Sequence, residues 1–345
     1  MKKDIRQLSV IVVILCAIVV LAFVLAAPGT AGENSSEGVR TITDMDGRTV
    51  TIPSEIRTVV ITCCGGAAQE LAALGVSDLV VAQPKQCVTE WLYRVAPGYR
   101  NVPDVGIFEN ANVEEIMKID PDIVIGRYSS STHIEATGIP VVGVLTGIAE
   151  TETLKREFLM MGAVFGREER AERLVDYWDE VLARIESKVA DIPKDERKRV
   201  YGGSGAWEEA MINAAGGINV AASHTQQSGS EVSPEQIVRW NPEVIYYSPK
   251  SGDTFSTNPQ FETIQAVQDG AVYPCPAGTM FSWSRPSPEA PLANLWLAQK
   301  LYPDRFADLD LADETKMFFR EFYDYDLTDE EVESILHPIP TSTGM

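Results

Sequence analysis

The sequence predicts an α/β protein of two lobes, each a mostly parallel sheet flanked by helices, joined by one long α-helix. A fourteen-residue pattern occurs twice without a gap, as NVEEIMKIDPDIVI from Asn112 to Ile125 and as SPEQIVRWNPEVIY from Ser233 to Tyr246. In both halves, short apolar runs alternate with helix-like stretches, a pattern typical of parallel sheets. Between the halves, residues 151–192 show helical periodicity and no strand signal. We therefore expect two similar lobes and a helical link.

Each copy of the repeat predicts a helix, a turn and a buried strand. It opens with a helix-capping residue, Asn112 or Ser233, and the residue three positions later, Glu115 or Gln236, completes a capping box. A proline then stops the helix, and a β-branched apolar run follows, as in a strand buried on both faces.

Two further acids of the repeat, Glu114 and Glu235, are left free near the starts of the two helices. An acid in the first turn complements the helix dipole by roughly 0.3–1 kcal/mol, which alone could select it. Alternatively, the pair contacts a partner at a fixed separation. The residues alone leave both interpretations open.

The chain is expected to begin with a signal or membrane anchor over residues 1–31 and a flexible tether over 32–38. Lys2, Lys3 and Arg6 precede an apolar run from Val10 to Ala27, which has the charge and length of a membrane-inserted segment. Because the run exceeds the roughly 7–15 residues of a signal-peptide core, an uncleaved anchor and a cleaved signal are both open. We expect the rest to be extracytoplasmic, either secreted or anchored to the outer face of the cytoplasmic membrane.

We expect an N-terminal lobe over residues 39–150, a linker helix region over 151–193 and a C-terminal lobe over 194–345. Thr43 to Pro53, with Asp46-Gly47 at its centre, reads as a hairpin on the edge of the first lobe. Predicted strands are Thr58 to Thr62, Leu79 to Ala82, Asp122 to Ile125, Val141 to Leu145, Arg199 to Tyr201, Val244 to Tyr247 and Ala271 to Tyr273. Predicted helices include Ala67 to Leu74, Pro234 to Trp240, Ala290 to Leu301 and Thr315 to Tyr323.

The linker is predicted to be a helix of about 20 residues, or roughly 30 Å at 1.5 Å per residue. Its apolar residues recur at helical spacing, namely Ala171, Leu174, Val175, Trp178, Val181, Leu182, Ile185 and Val189. We expect a stiff connection that limits lobe closure to a few degrees.

Charge and cysteine content restrict the possible partners. The formal net charge is −21, and without residues 1–31, which hold three bases and one acid, it becomes −23. This argues against nucleic acid and acidic lipid as partners. Cys63, Cys64, Cys87 and Cys275 show no CxxC spacing, so zinc is poorly supported. Outside the cytoplasm a disulfide is expected, most simply between Cys87 and one of the adjacent pair.

The chain resembles a known family over most of residues 40–338. The likeness rests on the order and spacing of several short motifs: Asp44-x-x-Gly47-Arg48-x-Val50 with Arg57-x-Val59-Val60, Leu71-x-x-Leu74-Gly75, Asn112-x-Glu114 with Pro121-Asp122, Gly166-Arg167-Glu168-Glu169-x-Ala171, Ala215-Gly216-Gly217-x-Asn219, and Ser233-x-Glu235 with Asn241-Pro242. These motifs are similar to those of the solute-binding proteins of ABC importers that bind ferric siderophores, haem and cobalamin. Glu243 departs slightly, because that position in the second copy is often aspartate.

This resemblance implies a function as the extracytoplasmic component that captures a chelated metal and delivers it to an ABC permease dimer with cytoplasmic ATPases. It implies that Glu114 and Glu235 dock against arginines of the permease, one in each half of the dimer. It implies no cofactor, and we expect a monomer. An oxyanion such as molybdate or tungstate remains an alternative ligand, and a tethered receptor without transport remains an alternative role. An enzyme is disfavoured, because the loop Gly202 to Gly205 lacks a phosphate-binding lysine and Ala206 breaks a GxSxG pattern.

Ligands of two-lobed α/β proteins bind near the carboxyl ends of the strands, so the loops that follow strands supply the candidates. The loops are Cys63 to Gly66, Lys85 and Gln86, Arg127 to Ser131, and Thr146 in the first lobe, and Ser204 to Trp207, Tyr247 to Lys250, and Phe281 to Arg285 in the second. The candidates within them are Cys63, Cys64, Lys85, Arg127, Tyr128, Ser129, Trp207, Tyr247, Trp283 and Arg285. Arg127 could meet an anionic group, and Tyr128, Trp207 and Trp283 could stack on a planar ligand. No metal site is firm; of the three histidines, only His133 and His224 are near these loops, and His133 could be an axial ligand.

Overall fold

The computed structural model describes residues 38–145, 150–222 and 232–339. The expected anchor, the tether up to residue 37, Thr146 and His224 lie outside these ranges. Contacts divide the chain into residues 1–40 and residues 41–345, and both large sheets lie in the second unit. In the part of the chain that the structure describes, no helix combines the length and apolar character needed to cross a membrane.

The described elements alternate between strands and helices. The strands are β1 Val39–Thr43, β2 Thr49–Pro53, β3 Val59–Ile61, β4 Val80–Ala82, β5 Ile123–Gly126, β6 Val141–Gly143, β7 Arg199–Tyr201, β8 Ile218–Asn219, β9 Val244–Tyr247 and β10 Val272–Pro274. The helices are α1 Ala67–Ala73, α2 Glu90–Val95, α3 Val113–Ile119, α4 Tyr128–Glu135, α5 Thr151–Phe165, α6 Glu168–Val189, α7 Ala206–Ala214, α8 Pro234–Trp240, α9 Gln265–Gln268, α10 Ala290–Leu301, α11 Leu311–Tyr323 and α12 Asp329–Leu336.

Each lobe is built on a four-stranded parallel sheet. The strand order is β4-β3-β5-β6 in the first lobe and β10-β9-β7-β8 in the second. In register, Val59 lies opposite Ile123 in the first sheet and Val200 opposite Val244 in the second, and the pairs in both sheets are parallel. The predicted α/β fold class is confirmed.

The predicted linker helix is α6, which is 22 residues long. Gly166, in the left-handed conformation at φ 61°, separates it from α5. Trp178 on α6 is fully buried, with ring centroids 6.1 Å from Phe158 on α5 and 6.4 Å from Trp207 on α7. Arg170 on the same helix donates to Ala73 O on α1 of the first lobe at 2.5 Å. The helix therefore packs against elements of both lobes instead of crossing open solvent.

One continuous hydrophobic core runs through both lobes. It includes Val59 and Ile123 of the first sheet, Trp178 of α6 and Val200 of the second sheet. Two smaller clusters cover the outer faces of the two sheets. Hydrogen bonds also cross between the lobes, because Gln69 Nε2 and Thr89 Oγ1 both donate to the carbonyl oxygen of Thr279, at 3.0 and 2.9 Å. A shared core and these bonds oppose a large hinge motion.

The two copies of the repeat adopt the same elements, α3 with β5 and α8 with β9. Each helix ends at a left-handed residue before the proline, Asp120 at φ 51° and Asn241 at φ 46°. Both types tolerate this conformation better than most residues do. The duplicated helix, turn and strand predicted from the pattern are confirmed.

The predicted capping box is only half formed. Asn112 Oδ1 accepts from the Glu115 backbone N–H at 3.1 Å, as expected. However, the Asn112 backbone N–H donates to Val105 O at 2.7 Å and has no need of a side-chain acceptor. The Glu115 carboxylate instead accepts from Lys118 Nζ at 2.6 Å. The Glu115 side chain therefore does not accept from the Asn112 backbone N–H, and this half of the capping-box prediction is wrong.

The acids that follow the two prolines fix the start of a neighbouring strand. Asp122 Oδ2 accepts from the backbone N–H groups of Arg57 and Thr58, at 2.7 and 2.9 Å. Glu243, its counterpart, accepts from the Arg199 N–H at 3.1 Å. The change from aspartate to glutamate in the second copy therefore preserves the contact.

The N-terminal hairpin attaches to the edge of the first sheet as predicted. Its strands β1 and β2 are joined by residues 44–48, and the Met45 N–H donates to Gly143 O on the edge strand β6 at 3.1 Å. Asp44 Oδ2 accepts from the Gly143 N–H at 3.1 Å and from Arg48 Nη2 at 2.7 Å. The motif of Asp44, Gly47 and Arg48 thus links the hairpin to the edge strand β6.

Candidate functional site

In the first lobe, a disulfide joins the loops that follow β3 and β4. Cys64 pairs with Cys87, with Cα atoms 5.5 Å apart, which confirms the predicted pairing of Cys87 with one of the adjacent cysteines. Cys63 is buried, its Sγ lies 4.0 Å from Ile125 O, and burial raises the pKa of its thiol. A thiolate ligand at Cys63 does not fit this environment. Lys85 is exposed beside Cys87, and its N–H donates to Asp104 at 3.3 Å.

Arg127 directly follows β5 and is the N-cap residue of α4. Its side chain is half-buried, with Cζ 5.5 Å from the centroid of the Phe108 ring. The neighbouring Glu109 accepts a hydrogen bond from Ser130 Oγ at 2.8 Å. The pKa of Glu109 is lowered by its own backbone N–H, by Ser130 and by Arg127. Arg127 therefore lies on an aromatic ring and near a carboxylate.

The residues after Arg127 form the helix α4, where the sequence predicted a loop. The Tyr128 ring packs on Arg48, with Cζ 3.4 Å from the ring centroid, so one of its faces is covered by the hairpin. Ser129 is exposed in the first turn. His133 is exposed in the last turn. Of the described residues, no group of three or more His, Cys, Asp or Glu side chains is arranged to hold a metal ion.

The two tryptophans predicted to stack on ligand lie inside the protein. Trp283 is fully buried and its Nε1 donates to Glu289 Oε2 at 2.6 Å. Trp207 is 5% exposed and packs edge-on against Trp178. Tyr247 is also buried, and burial raises the pKa of its hydroxyl. Because their rings contribute to packing at the junction of the lobes, stacking on a ligand does not fit Trp207 and Trp283.

Arg285 lies in an exposed cationic group in the second lobe. Its Cζ is 5.8 Å from the Phe281 ring centroid, and Lys250 Nζ is 5.5 Å from the same centroid. Both cationic residues are exposed. In a chain of net charge −21, this arrangement can hold a negatively charged group.

Three side chains with buried polar atoms follow strands; two of them lie in the loops predicted from the sequence to hold the ligand, whereas Gln83 was missed. Gln83 comes directly after β4, Ser248 directly after β9, and Ser131 lies on the helix after β5. The side-chain polar atoms of all three are buried and have no hydrogen-bond partner within residues 38–145, 150–222 and 232–339. The signal for Gln83 and Ser248 was their position at the strand ends.

The paired acids of the repeat are exposed on their helices. Glu114 is at the second position of α3, and no ion pair or hydrogen bond to its side chain is found among residues 38–145, 150–222 and 232–339. Glu235 is at the second position of α8, where it accepts from Gln260 Nε2 at 3.2 Å. Both carboxylates are accessible to a partner.

Three glutamates are buried near the junction of the lobes. Glu289 accepts from Thr279, Trp283 and Tyr323. It thereby anchors the segment around Thr279, whose carbonyl oxygen bridges to the first lobe. Of the described residues, only the neighbouring Glu157 interacts with the Glu70 carboxyl group, and Glu157 also accepts from the Leu145 N–H at 2.5 Å. Burial first, and then the charge of Glu157, raise the pKa of Glu70 well above its usual range. The buried pair therefore favours the protonated form of Glu70 more than an exposed glutamate would.

Comparison with known proteins places this architecture among binding proteins. The family model described as periplasmic binding protein matches residues 60–279. The molybdate-binding protein MolA of Haemophilus influenzae is 29% identical over 321 residues, which cover 82% of this chain and 91% of MolA. The Fe(3+)-citrate-binding protein YfmC of Bacillus subtilis is 20% identical, covering 74% of this chain and 83% of YfmC.

Solved structures agree with the fold. MolA bound to molybdate aligns with a TM-score of 0.75 at 26% identity, covering 84% of this chain and 99% of MolA. A periplasmic solute-binding protein of Veillonella parvula aligns with a TM-score of 0.73 at 28% identity, covering 86% and 97%. These proteins bind solutes for ABC transporters and are not enzymes. The chain therefore belongs to the periplasmic binding protein family of ABC-transporter components.

Proposed function

We propose that this chain captures a small oxyanion of the molybdate type between its lobes and delivers it to an ABC permease. The chemistry of such an ion requires hydrogen-bond donors and a compensating positive charge, arranged in a site shielded from water. The ends of the parallel strands are where both lobes can supply these groups.

The observation that carries this choice is the set of buried, unpartnered side chains at the strand ends. Gln83, Ser131 and Ser248 present an amide and two hydroxyl groups that find no partner in the described part of the chain. A buried polar group without a partner costs roughly 1–3 kcal/mol. A ligand rich in acceptor oxygens would remove that cost, and Arg127 would supply charge beside it. The similarity to MolA over 82% of the chain supports the same ligand class.

A metal chelate is the second candidate, and a different group of residues favours it. Lys250 and Arg285 flank Phe281 on the exposed surface of the second lobe. Two exposed cations beside an aromatic ring fit a larger, carboxylate-rich ligand better than a small ion. Relatives named as Fe(3+)-citrate-, petrobactin- and cobalamin-binding proteins support this alternative.

Calorimetry on the purified protein separates the two ligands. Molybdate and ferric citrate would be titrated in parallel into wild type, Arg127→Ala and Arg285→Ala. We expect molybdate to bind, and Arg127→Ala to weaken its binding at least tenfold while Arg285→Ala leaves it within twofold. Binding of ferric citrate alone, with a loss in Arg285→Ala, would instead establish the chelate. Metal analysis of protein from its native source provides an independent check.

We further propose that Glu114 and Glu235 dock the loaded protein on the permease. Two carboxylates at a fixed separation can meet two arginines by charge-assisted hydrogen bonds, and matching that separation gives specificity. Because exposed pairs are individually weak, the protein can leave after delivery. In a reconstituted transporter, Glu114→Ala combined with Glu235→Ala should abolish uptake without changing ligand affinity. Normal uptake by the double variant would disprove docking through these acids.

A further inference from the structure

Phe108 has a backbone conformation that bulky residues rarely adopt. Its φ is 52°, in the left-handed region. The other described residues except glycine with positive φ are Asp120, Asn241 and Asp324, and each follows the last turn of a helix. Phe108 ends no α-helix, and phenylalanine has no side-chain polar group to stabilise this conformation. Strained residues of this kind concentrate at functional sites.

Specific contacts hold Phe108 in this conformation. Its backbone N–H donates to Thr62 O, directly after β3, at 2.7 Å, and its carbonyl accepts from the Ala111 N–H at 3.1 Å. Gly106, at φ 78°, allows the turn before it, because a Cβ there would collide with Asn110 O. The loop is thus tied to the carboxyl end of the sheet, where ligand is expected.

The strained backbone places the Phe108 ring between the core and Arg127. One side of the ring packs against the main hydrophobic core. Its centroid lies 5.5 Å from the Arg127 Cζ, within the range of a cation–π contact. A ring that served only to fill the core would need no left-handed backbone. The left-handed backbone of Phe108 instead fixes its ring as a rigid surface beneath the Arg127 guanidinium.

We propose that Phe108 is a positioning residue for the ligand site, holding the Arg127 guanidinium at the end of β5 where it meets an anion. This inference rests on the proposed function, because it assumes that Arg127 contacts the ligand. A long arginine side chain has many rotamers, and fixing it before binding removes part of the ordering cost of binding. The aromatic ring therefore acts on affinity through Arg127 without touching the ligand.

A double-mutant cycle with molybdate as the calorimetric probe tests this role. Phe108→Ala should weaken molybdate binding about five- to tenfold, whereas Phe108→Tyr, which keeps the ring, should stay within about twofold. In the Arg127→Ala background, Phe108→Ala should have no further effect, because the group that it positions is absent. Phe108→Gly removes the ring and also the backbone strain, so it should lose affinity as Phe108→Ala does but lower the melting temperature less than Phe108→Ala does.

A matched control is available outside the cleft. Tyr93 makes a similar contact with Arg100, at 4.5 Å between the ring centroid and Cζ. Tyr93→Ala should leave molybdate affinity unchanged. Wild-type affinity in Phe108→Ala, or losses that add fully in the double variant, would overturn the proposal. If wild type binds ferric citrate and not molybdate, the proposed oxyanion fails, and the same cycle with ferric citrate then decides the role of Phe108. If Arg127→Ala changes the affinity for neither probe, the inference is refuted together with the role of Arg127.

Discussion

The buried pair of Glu70 and Glu157 should make the stability of this protein depend on pH in a specific direction. Both side chains are almost fully buried, with relative exposures of 0% and 2%. Among the residues that the structure describes, the only donor to these carboxyl groups besides each other is the Leu145 N–H. Two charges cannot share this environment, so the folded state keeps a proton on Glu70 that the unfolded chain has already released.

The sign and magnitude follow from this extra proton. The pKa of Glu70 is raised in the folded state from its ordinary value of 4.5. Between pH 4.5 and the raised pKa, the folded state binds one more proton than the unfolded state. The free energy of unfolding therefore falls as pH rises, by about 1.4 kcal/mol per pH unit from this group. The contribution is fully present below pH 4.5 and is lost as pH rises through this window.

Glu70→Gln isolates the effect, because glutamine has the same shape, donates to Glu157 and does not titrate. Urea unfolding would be measured at several pH values upward from 4.5, and wild type should lose stability relative to the variant, at a slope of at most about 1.4 kcal/mol per pH unit, until the raised pKa of Glu70 is passed. Glu172→Gln, an exposed change on α6, controls for the loss of one carboxyl group. If the unfolding free energies of wild type and Glu70→Gln changed with pH in parallel, the reasoning would be refuted.

Three further predictions concern the disulfide, the Asp122 carboxylate that holds the start of β3, and the buried Gln83 side chain. The disulfide closes a loop with a sequence separation of 23, so the double variant Cys64→Ser with Cys87→Ser should lose about 3 kcal/mol of unfolding free energy in urea. The same variant should bind ligand more weakly in calorimetry. Unchanged affinity would show that the cleft loops keep their shape without the disulfide. Asp122→Ala should cost roughly 1–3 kcal/mol, because two strand N–H groups lose a charged acceptor, whereas Asp122→Asn should lose less. Gln83→Ala should weaken molybdate binding severalfold with no loss of melting temperature, and equal affinity would remove Gln83 from the site.

Much of the fold was predictable because local signals and burial agree. The bounds of Arg199–Tyr201, Val244–Tyr247, Pro234–Trp240 and Ala290–Leu301 match the predicted ones. These elements have clear apolar patterns and clear end signals. The strand Ile218–Asn219 was missed, because two residues carry no periodicity.

The helix α4 shows why other parts could not be predicted. Its sequence YSSSTHIE is rich in serine, which competes for backbone hydrogen bonds and disfavours helices. Tertiary contacts override that preference, since Tyr128 packs on Arg48 and Ser130 binds Glu109. Such contacts join residues far apart in sequence, so no local pattern reveals them.

The site was predicted less completely than the fold, for a related reason. Position after a strand identifies a loop but does not say whether a side chain points to the cleft or to the core. Trp283 follows β10, yet its indole N–H binds Glu289 inside the protein. The positive φ of Phe108 had no signal either, because the sequence shows a bulky residue where glycine would be expected.

The register of the repeat gives a physical account of how similar lobes can hold one ligand asymmetrically. Arg127 and Ser248 stand at equivalent positions, each directly after the buried strand of its copy and each at the start of a following helical turn. One lobe therefore offers a permanent cation where the other offers a buried, unpartnered hydroxyl. Two cations facing each other would repel across an empty cleft, whereas one cation and neutral donors can bind an anion without that penalty. The scaffold contacts of Asp122 and Glu243 are retained in both copies, so this chemical difference at Arg127 and Ser248 leaves the shared framework unchanged.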